Sequence, residues 1–184
     1  MEDLELPREL GIRFIFPNAP EIAVTANAGY IMPAWYDILM LTEERVINQE
    51  QLFKSVENIQ QLLDREIARG ISSDNIMLIG FSQGGAVAYH AALSYPDTLA
   101  AVVGLSTYLP KADKLEVQAA NKGLAALVCH GTQDHMVVER QGKKAAYTLQ
   151  ERGHPVEYRC YPMAHEVCLD EIKEISRFIQ TQLS

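Results

Sequence analysis

Apolar residues in this chain recur in short runs whose period changes from two, to 3.6, to continuous, and each change predicts an element. Ile12-Arg13-Phe14-Ile15-Phe16 predicts a short strand, stopped by Pro17 and Pro20. Residues 17–41 keep no period; Gly29, Pro33 and a cluster of Tyr30, Trp35 and Tyr36 predict a long irregular loop of a length that is uncommon unless functional. Asn48 is placed to cap a helix, with Gln51 at the reciprocal capping-box position. Leu52, Val56, Ile59 and Leu63 then line one face of that helix until Gly70 ends it.

A continuous apolar strand over 76–81 is followed by a helix of small residues, Gly84, Gly85, Ala86, Ala88, Ala91 and Ala92, which Tyr95-Pro96 ends. Residues 101–106 and 124–130 predict two more buried strands. The polar stretch 108–123 between them is a surface excursion, read as a loop ahead of a lid. A helix over 138–152, an alternating strand over 156–161 and an amphipathic helix carrying Ile172, Ile175, Ile179 and Leu183 complete the chain. Strands alternating with helices predict a mostly parallel sheet covered on both faces, in one domain spanning residues 1–184. In such a sheet, sites form beyond the carboxyl ends of the strands.

Composition narrows the function classes. A length of 184 residues, 48% hydrophobic and 22% charged, suits one core. A net charge of −8 with no basic run argues against a nucleic-acid partner, whose phosphates require clustered Lys and Arg. No stretch is apolar enough to span a bilayer, and the acidic Met1-Glu2-Asp3-Leu4-Glu5 carries no secretory signal, so no integral membrane association is expected. Cys129, Cys160 and Cys168 form no paired motif. The first two fall in strand-like runs and read as buried small hydrophobes, not as disulfide or zinc ligands, which points to a reducing cytoplasm.

The chemistry centres on Gly80-Phe81-Ser82-Gln83-Gly84, a Gly-x-Ser-x-Gly elbow with a strand before it and a helix after it. The turn forces its corner residue, Ser82, into a strained conformation, and small neighbours such as Gly80 and Gly84 let the two backbones pass. A serine hydroxyl needs a base, and the base needs an orienting acid. His165 follows the last strand at the same sheet edge as Ser82, unlike His90, His130, His135 and His154. Asp134 lies just past another strand end, and the order Ser82, Asp134, His165 is that expected of a sheet hydrolase. Glu139 and Glu166 are the rival acids. The backbone N–H of Gln83 is the first expected oxyanion donor, and the second should come from an earlier strand-to-helix loop, which does not precede Ser82 here.

Pro17-Asn18-Ala19-Pro20, Ala34-Trp35-Tyr36-Asp37-Ile38, Gly80-Phe81-Ser82-Gln83-Gly84-Gly85, Leu105-Ser106-Thr107-Tyr108, His130-Gly131-Thr132-Gln133-Asp134 and Pro162-Met163-Ala164-His165-Glu166-Val167 together resemble the acyl-protein thioesterase and carboxylesterase family, in particular its bacterial carboxylesterase branch. The resemblance runs in order from about Ile12 to the C-terminus. It implies an α/β-hydrolase fold, no metal or organic cofactor, and hydrolysis of small-molecule or acyl-protein esters or thioesters. It carries the triad onto Ser82, Asp134 and His165 and an oxyanion donor onto Gln83, and sets Trp35 and Phe81 beside the substrate. For Trp35 the alternative is an aromatic cluster that pins the long loop.

Ala164 replaces a glycine common in that family. The larger departure is at the front, where family members carry an apolar strand ending in a His-Gly-Leu-Gly loop, and then a helix. Here Met1 stands about where that helix is expected. The absent strand would lie between residues 12–16 and 76–81, so the fold is expected to be truncated. Three outcomes are open: the sheet re-pairs, a partner chain fills the gap, as in a homodimer, or the sequence is an incomplete copy. An impaired acyl-binding or chain-pairing remnant, and a peptidase or lactonase on the same fold, remain alternative functions.

Overall fold

The computed structural model describes residues 4–42 and 44–183. Met1, Glu2 and Asp3, which open the acidic N-terminus, lie outside the described residues. Strands β1 (Glu21–Val24) and β2 (Tyr30–Pro33) form one small antiparallel sheet, and β3 (Ile38–Met40) and β4 (Val46–Ile47) another. Helix α1 (Gln49–Ala68) leads to β5 (Met77–Phe81), α2 (Gln83–Leu93), β6 (Ala101–Leu105), β7 (Ala125–Gly131), α3 (Glu139–Glu151), β8 (Val156–Tyr161) and α4 (Leu169–Gln182). The main sheet is parallel throughout, in the order β5-β6-β7-β8.

Helix α1 forms where its period predicts. Asn48 caps it by accepting the Gln51 N–H at 3.1 Å, but the Gln51 side chain accepts the Asp37 N–H at 2.7 Å instead of closing the capping box. The cap therefore ties α1 to the loop before it. Leu52, Val56, Ile59 and Leu63 are all buried, each worth roughly 1.5–3 kcal/mol of transfer free energy. One core layer joins α1, α2 and α3 to the sheet through Leu63, Ala88, Leu93, Ala145 and Leu149. The opposite layer has α4 alone, through Ile175, Phe178 and Ile179 on Val103, Leu127 and Cys129. Both faces carry a helix, as expected, but unequally.

Three further expectations need correction. Residues 12–16 form no strand, because a strand needs a ladder partner and no described segment provides one. Ile12 packs into the α4 layer, and Arg13 Nη1 donates to Glu66 Oε2 of α1 at 3.0 Å, so these two residues reach elements of opposite layers. Residues 17–41 are not irregular: they hold β1, β2 and β3, and Ala28 turns the first hairpin in the left-handed region at φ 55°. Cys160 is exposed, since β8 is an edge strand, whereas Cys129 is buried.

The other edge is β5. Ile76 O accepts from Ala100 N and Ser82 N donates to Leu105 O, so even-numbered residues face β6 and the backbone groups of Met77, Ile79 and Phe81 face outward. Among the described residues nothing pairs with them, and the sheet does not re-pair with 12–16. On the α4 side Ile79 and Phe81 stay 41% and 36% exposed.

The polar excursion at 108–123 is held down by buried Asn121, whose Nδ2 donates to Tyr95 O and Asp97 O and whose Oδ1 accepts the Leu99 N–H. This pinning supports the loop reading over the lid.

Helix α4 buries Glu171 with neither carboxylate oxygen in hydrogen-bonding geometry. Burial pushes its carboxyl up to about 7, against a smaller downward pull from the Cys168 N–H. An unfolded glutamate titrates near about 4.3, so the fold holds this proton more tightly than the unfolded chain does. Stability should fall as pH rises from about 4.3 to 7 and stay low above that. Glu171→Gln should therefore raise the melting temperature at pH 8 by clearly more than at pH 5, as read by calorimetry.

Candidate active site

Ser82 is the hinge between β5 and α2, at φ 52° and ψ −121°. That conformation is strained for a residue with a Cβ, and the surrounding crossing imposes it. A Cβ on Gly80 would lie 2.2 Å from Gly84 O, and one on Gly85 would lie 2.6 Å from Thr107 Cγ2 and 2.8 Å from Gly80 O. The tight pair is thus Gly80 with Gly85. A Cβ on Gly84 would meet only Trp35 Nε1, at 3.5 Å, so Gly84 leaves room above α2 and is not demanded by the crossing. Thr107 Oγ1 donates to Ser82 O at 2.6 Å and fixes the corner from β6's side.

The structure brings Ser82, His165 and Asp134 together. His165 Nε2 lies 3.0 Å from Ser82 Oγ, and His165 Nδ1 lies 2.7 Å from Asp134 Oδ2. The three come from the ends of β5, β7 and β8, at one sheet edge. Gly131, at the end of β7, passes under the 162–165 turn so closely that a Cβ would sit 2.3 Å from Met163 O. Asp134 is fully buried at its side chain, and its Oδ1 accepts the N–H groups of Met136 and Val137 at 2.8 Å each. Its orientation is therefore fixed before His165 is counted. A serine hydroxyl, an imidazole and a buried carboxylate in this line can pass a proton from oxygen to nitrogen while the carboxylate stabilises the cation formed.

His130 has a part that the spacing of motifs does not show. It is buried, with Nε2 2.7 Å from Val137 O and 3.6 Å from Asp134 Oδ2. Burial lowers its pKa, which keeps the ring neutral and makes Nε2–H the donor to Val137 O. A Cβ on Gly142 would meet its Nδ1 at 2.2 Å, so that glycine admits the ring. The other histidines stand apart: His90 Nε2 meets Pro110 O, His154 Nδ1 meets Leu124 O, and His135 is exposed. The rival acids are also elsewhere. Glu139 accepts from Tyr158 and pairs with Lys143, and exposed Glu166 faces Ala164 N.

The Gln83 and Gly84 N–H groups open α2 and donate to no described acceptor, and α2's N-terminus favours negative charge beside Ser82. Phe81 lays its ring on His165, centroids 4.7 Å apart. Trp35 is half-buried over the first turn of α2. Its alternative role is also visible, because neighbouring Tyr36 is buried with its hydroxyl 2.7 Å from that of Tyr108.

A parallel sheet with a strained serine at a strand-to-helix elbow defines an α/β hydrolase. The match of residues 7–183 to the Phospholipase/Carboxylesterase family model places the chain in that family. Over 176 residues it is 32% identical to the probable carboxylesterase SOBER1-like of Arabidopsis thaliana, covering 93% of this chain and 67% of the relative. Over 182 residues it is 34% identical to acyl-protein thioesterase 1 of Gibberella zeae, covering 94% and 77%. The crystal structure of Arabidopsis thaliana SOBER1 superposes with a TM-score of 0.92 at 30% identity, over 100% of this chain and 90% of that one. Acyl-protein thioesterase 2 of Zea mays follows at 0.78 and 26%, over 91% and 80%. Among the described residues no helix is long and apolar enough to cross a membrane.

The crossing gives a direct test. Gly80→Ala drives a methyl into the Gly84 carbonyl and should destabilise the protein by about 3 kcal/mol or more, as measured by urea unfolding.

Proposed function

We propose that the chain hydrolyses carboxylic esters or thioesters through an acyl-enzyme on Ser82, without metal or organic cofactor. The observation that carries this reading is the continuous line from Ser82 Oγ through His165 to Asp134, 3.0 and 2.7 Å, hung on an elbow serine. Ser82 Oγ attacks the acyl carbon as His165 Nε2 takes its proton. Asp134 holds the imidazole and balances the imidazolium. The oxyanion is met by the Gln83 N–H and the N-terminal field of α2. Collapse expels the alcohol or thiol, which takes the proton from His165, and a water activated by the same nitrogen releases the acid. Phe81 and Trp35 border the acyl group. The substrates named in the relatives, carboxylic esters and acyl-proteins, fit this chemistry, and the thiol content fits a reducing cytoplasm.

The test is turnover of p-nitrophenyl butyrate by the wild type, with labelling of Ser82 by a fluorophosphonate. Ser82→Ala should lower kcat on the order of 10⁴-fold or more and abolish labelling, and Asp134→Asn should cost about 10⁴-fold with the fold intact. Wild-type protein that neither turns over the ester nor takes the label overturns the reading. EDTA should leave turnover unchanged.

A second reading is a remnant that binds acyl groups or pairs with another chain, including a second copy, without turnover. The open edge of β5 and the single family-assigned oxyanion donor favour it. A dimer by light scattering, coupled with absent turnover, would support it. Cleavage of peptides or lactones in preference to open esters would instead mark a peptidase or lactonase on this fold.

A further inference from the structure

Gln83 does two things at once, and only its backbone belongs to the reaction described above. Its side chain turns back over α2 and grips the dipeptide Trp35-Tyr36. Oε1 accepts the Trp35 N–H at 3.0 Å, and Nε2 donates to Tyr36 O at 3.0 Å. An amide matches a backbone N–H and the following carbonyl with one acceptor and one donor, so both ends are satisfied. The rest of this strap is stitched to other elements. Ser55 Oγ of α1 donates to Trp35 O at 2.5 Å, Gln51 Oε1 accepts from Asp37 N at 2.7 Å, and Asp37 takes the Thr25 N–H and hydroxyl at 2.7 and 2.6 Å. The Gln83 amide is the strap's described hydrogen-bond tie to the elbow itself. The Trp35 indole it holds lies over Gly84, one residue beyond the Gln83 N–H.

We propose that Gln83 is a positioning residue: its side-chain amide fixes the Trp35 strap over the first turn of α2, and so sets the wall that reads the length of the acyl group entering at Ser82. The proposal rests on the hydrolase reading for its acyl group, while the clamp itself does not. The oxyanion donor and the tie to the wall share one residue, so the wall cannot drift from the oxyanion without breaking two hydrogen bonds. A strap anchored only to α1 and the hairpins would keep Tyr36 buried and leave Trp35 free to swing from α2.

Trp35 is the sole tryptophan of the chain, so its fluorescence reports the strap without any substrate. Gln83→Met keeps the length of the side chain and the backbone N–H but removes both bonds, and Gln83→Glu keeps an acceptor for Trp35 N–H while losing the donor to Tyr36 O. Two neutral hydrogen bonds hold a population on the order of tenfold or more, so Gln83→Met should raise the acrylamide quenching constant of Trp35 severalfold, with Gln83→Glu between it and the wild type. A wall that reads hydrocarbon discriminates by roughly tenfold or more per methylene, so the ratio of kcat/KM for p-nitrophenyl acetate to that for the octanoate should move by at least about threefold. Unchanged quenching in both variants overturns the proposal. So does a loss of kcat that is uniform across acyl lengths with KM unmoved, because that is the signature of damage at the oxyanion alone. Increased quenching in a protein whose wild type has no esterase activity would uphold the clamp, refute its acyl-reading role and bring down the hydrolase reading separately.

Discussion

The crossing of β5 and α2 at Gly80 and Gly85 is the constraint on which the rest of the molecule depends. Two backbones pass with no space for a side chain between them, and the chain can make that pass only by lifting Ser82 to φ 52°. The strain is paid by the packing around it: Thr107 bonds the Ser82 carbonyl, and α2 is buried along nearly its whole length between α1 and the sheet. The small residues of α2 therefore have one cause. They bring the helix down onto β5 and β6 so that its N-terminus meets the serine it follows. The strained serine, the free N–H of Gln83 and the helix field are three consequences of one close approach.

The acid side is built on the opposite plan, by saturating a carboxylate. Asp134 receives two backbone N–H groups and one imidazole, while the neutral ring of His130 bonds Val137 O and so holds the same loop from below. Burial is what keeps His130 uncharged. A charged ring 3.6 Å from Asp134 would compete for the carboxylate with His165, so the second histidine supports the first only by remaining neutral.

Much of this was legible in the sequence because it is written in local terms. The period of α1, the apolar runs of β5, β6 and β7, and the elbow each lie within about a dozen residues, and a parallel sheet then gathers the ends carrying Ser82, Asp134 and His165 at one edge. What failed was non-local. Residues 12–16 have a strand's pattern and no partner, and pattern does not record whether a partner exists. The β1–β2 hairpin turns through Ala28 and Gly29, both at positive φ, and with an alanine ahead of the glycine the turn does not match the two-residue Asn-Gly or Asp-Gly pattern that marks a hairpin. The hold of Gln83 on Trp35 and Tyr36 spans nearly fifty positions, and no spacing rule connects them. His130 read as a strand end because its partners, Val137 and the space left by Gly142, are set by the loop's path.

The open edge of β5 and the chemistry at its end are linked through Phe81. With α4 alone on that face, Phe81 stays partly exposed, and its ring forms one side of the His165 pocket. The imidazole beside it keeps 20% of its side-chain surface in solvent. In an acyl-enzyme mechanism the second half-reaction consumes water, which must reach the nitrogen facing Ser82. A fully roofed sheet would strengthen the first half-reaction by excluding solvent and starve the second. The uneven covering of the sheet therefore reaches the His165 imidazole through one aromatic ring, the partly exposed Phe81 packed against it.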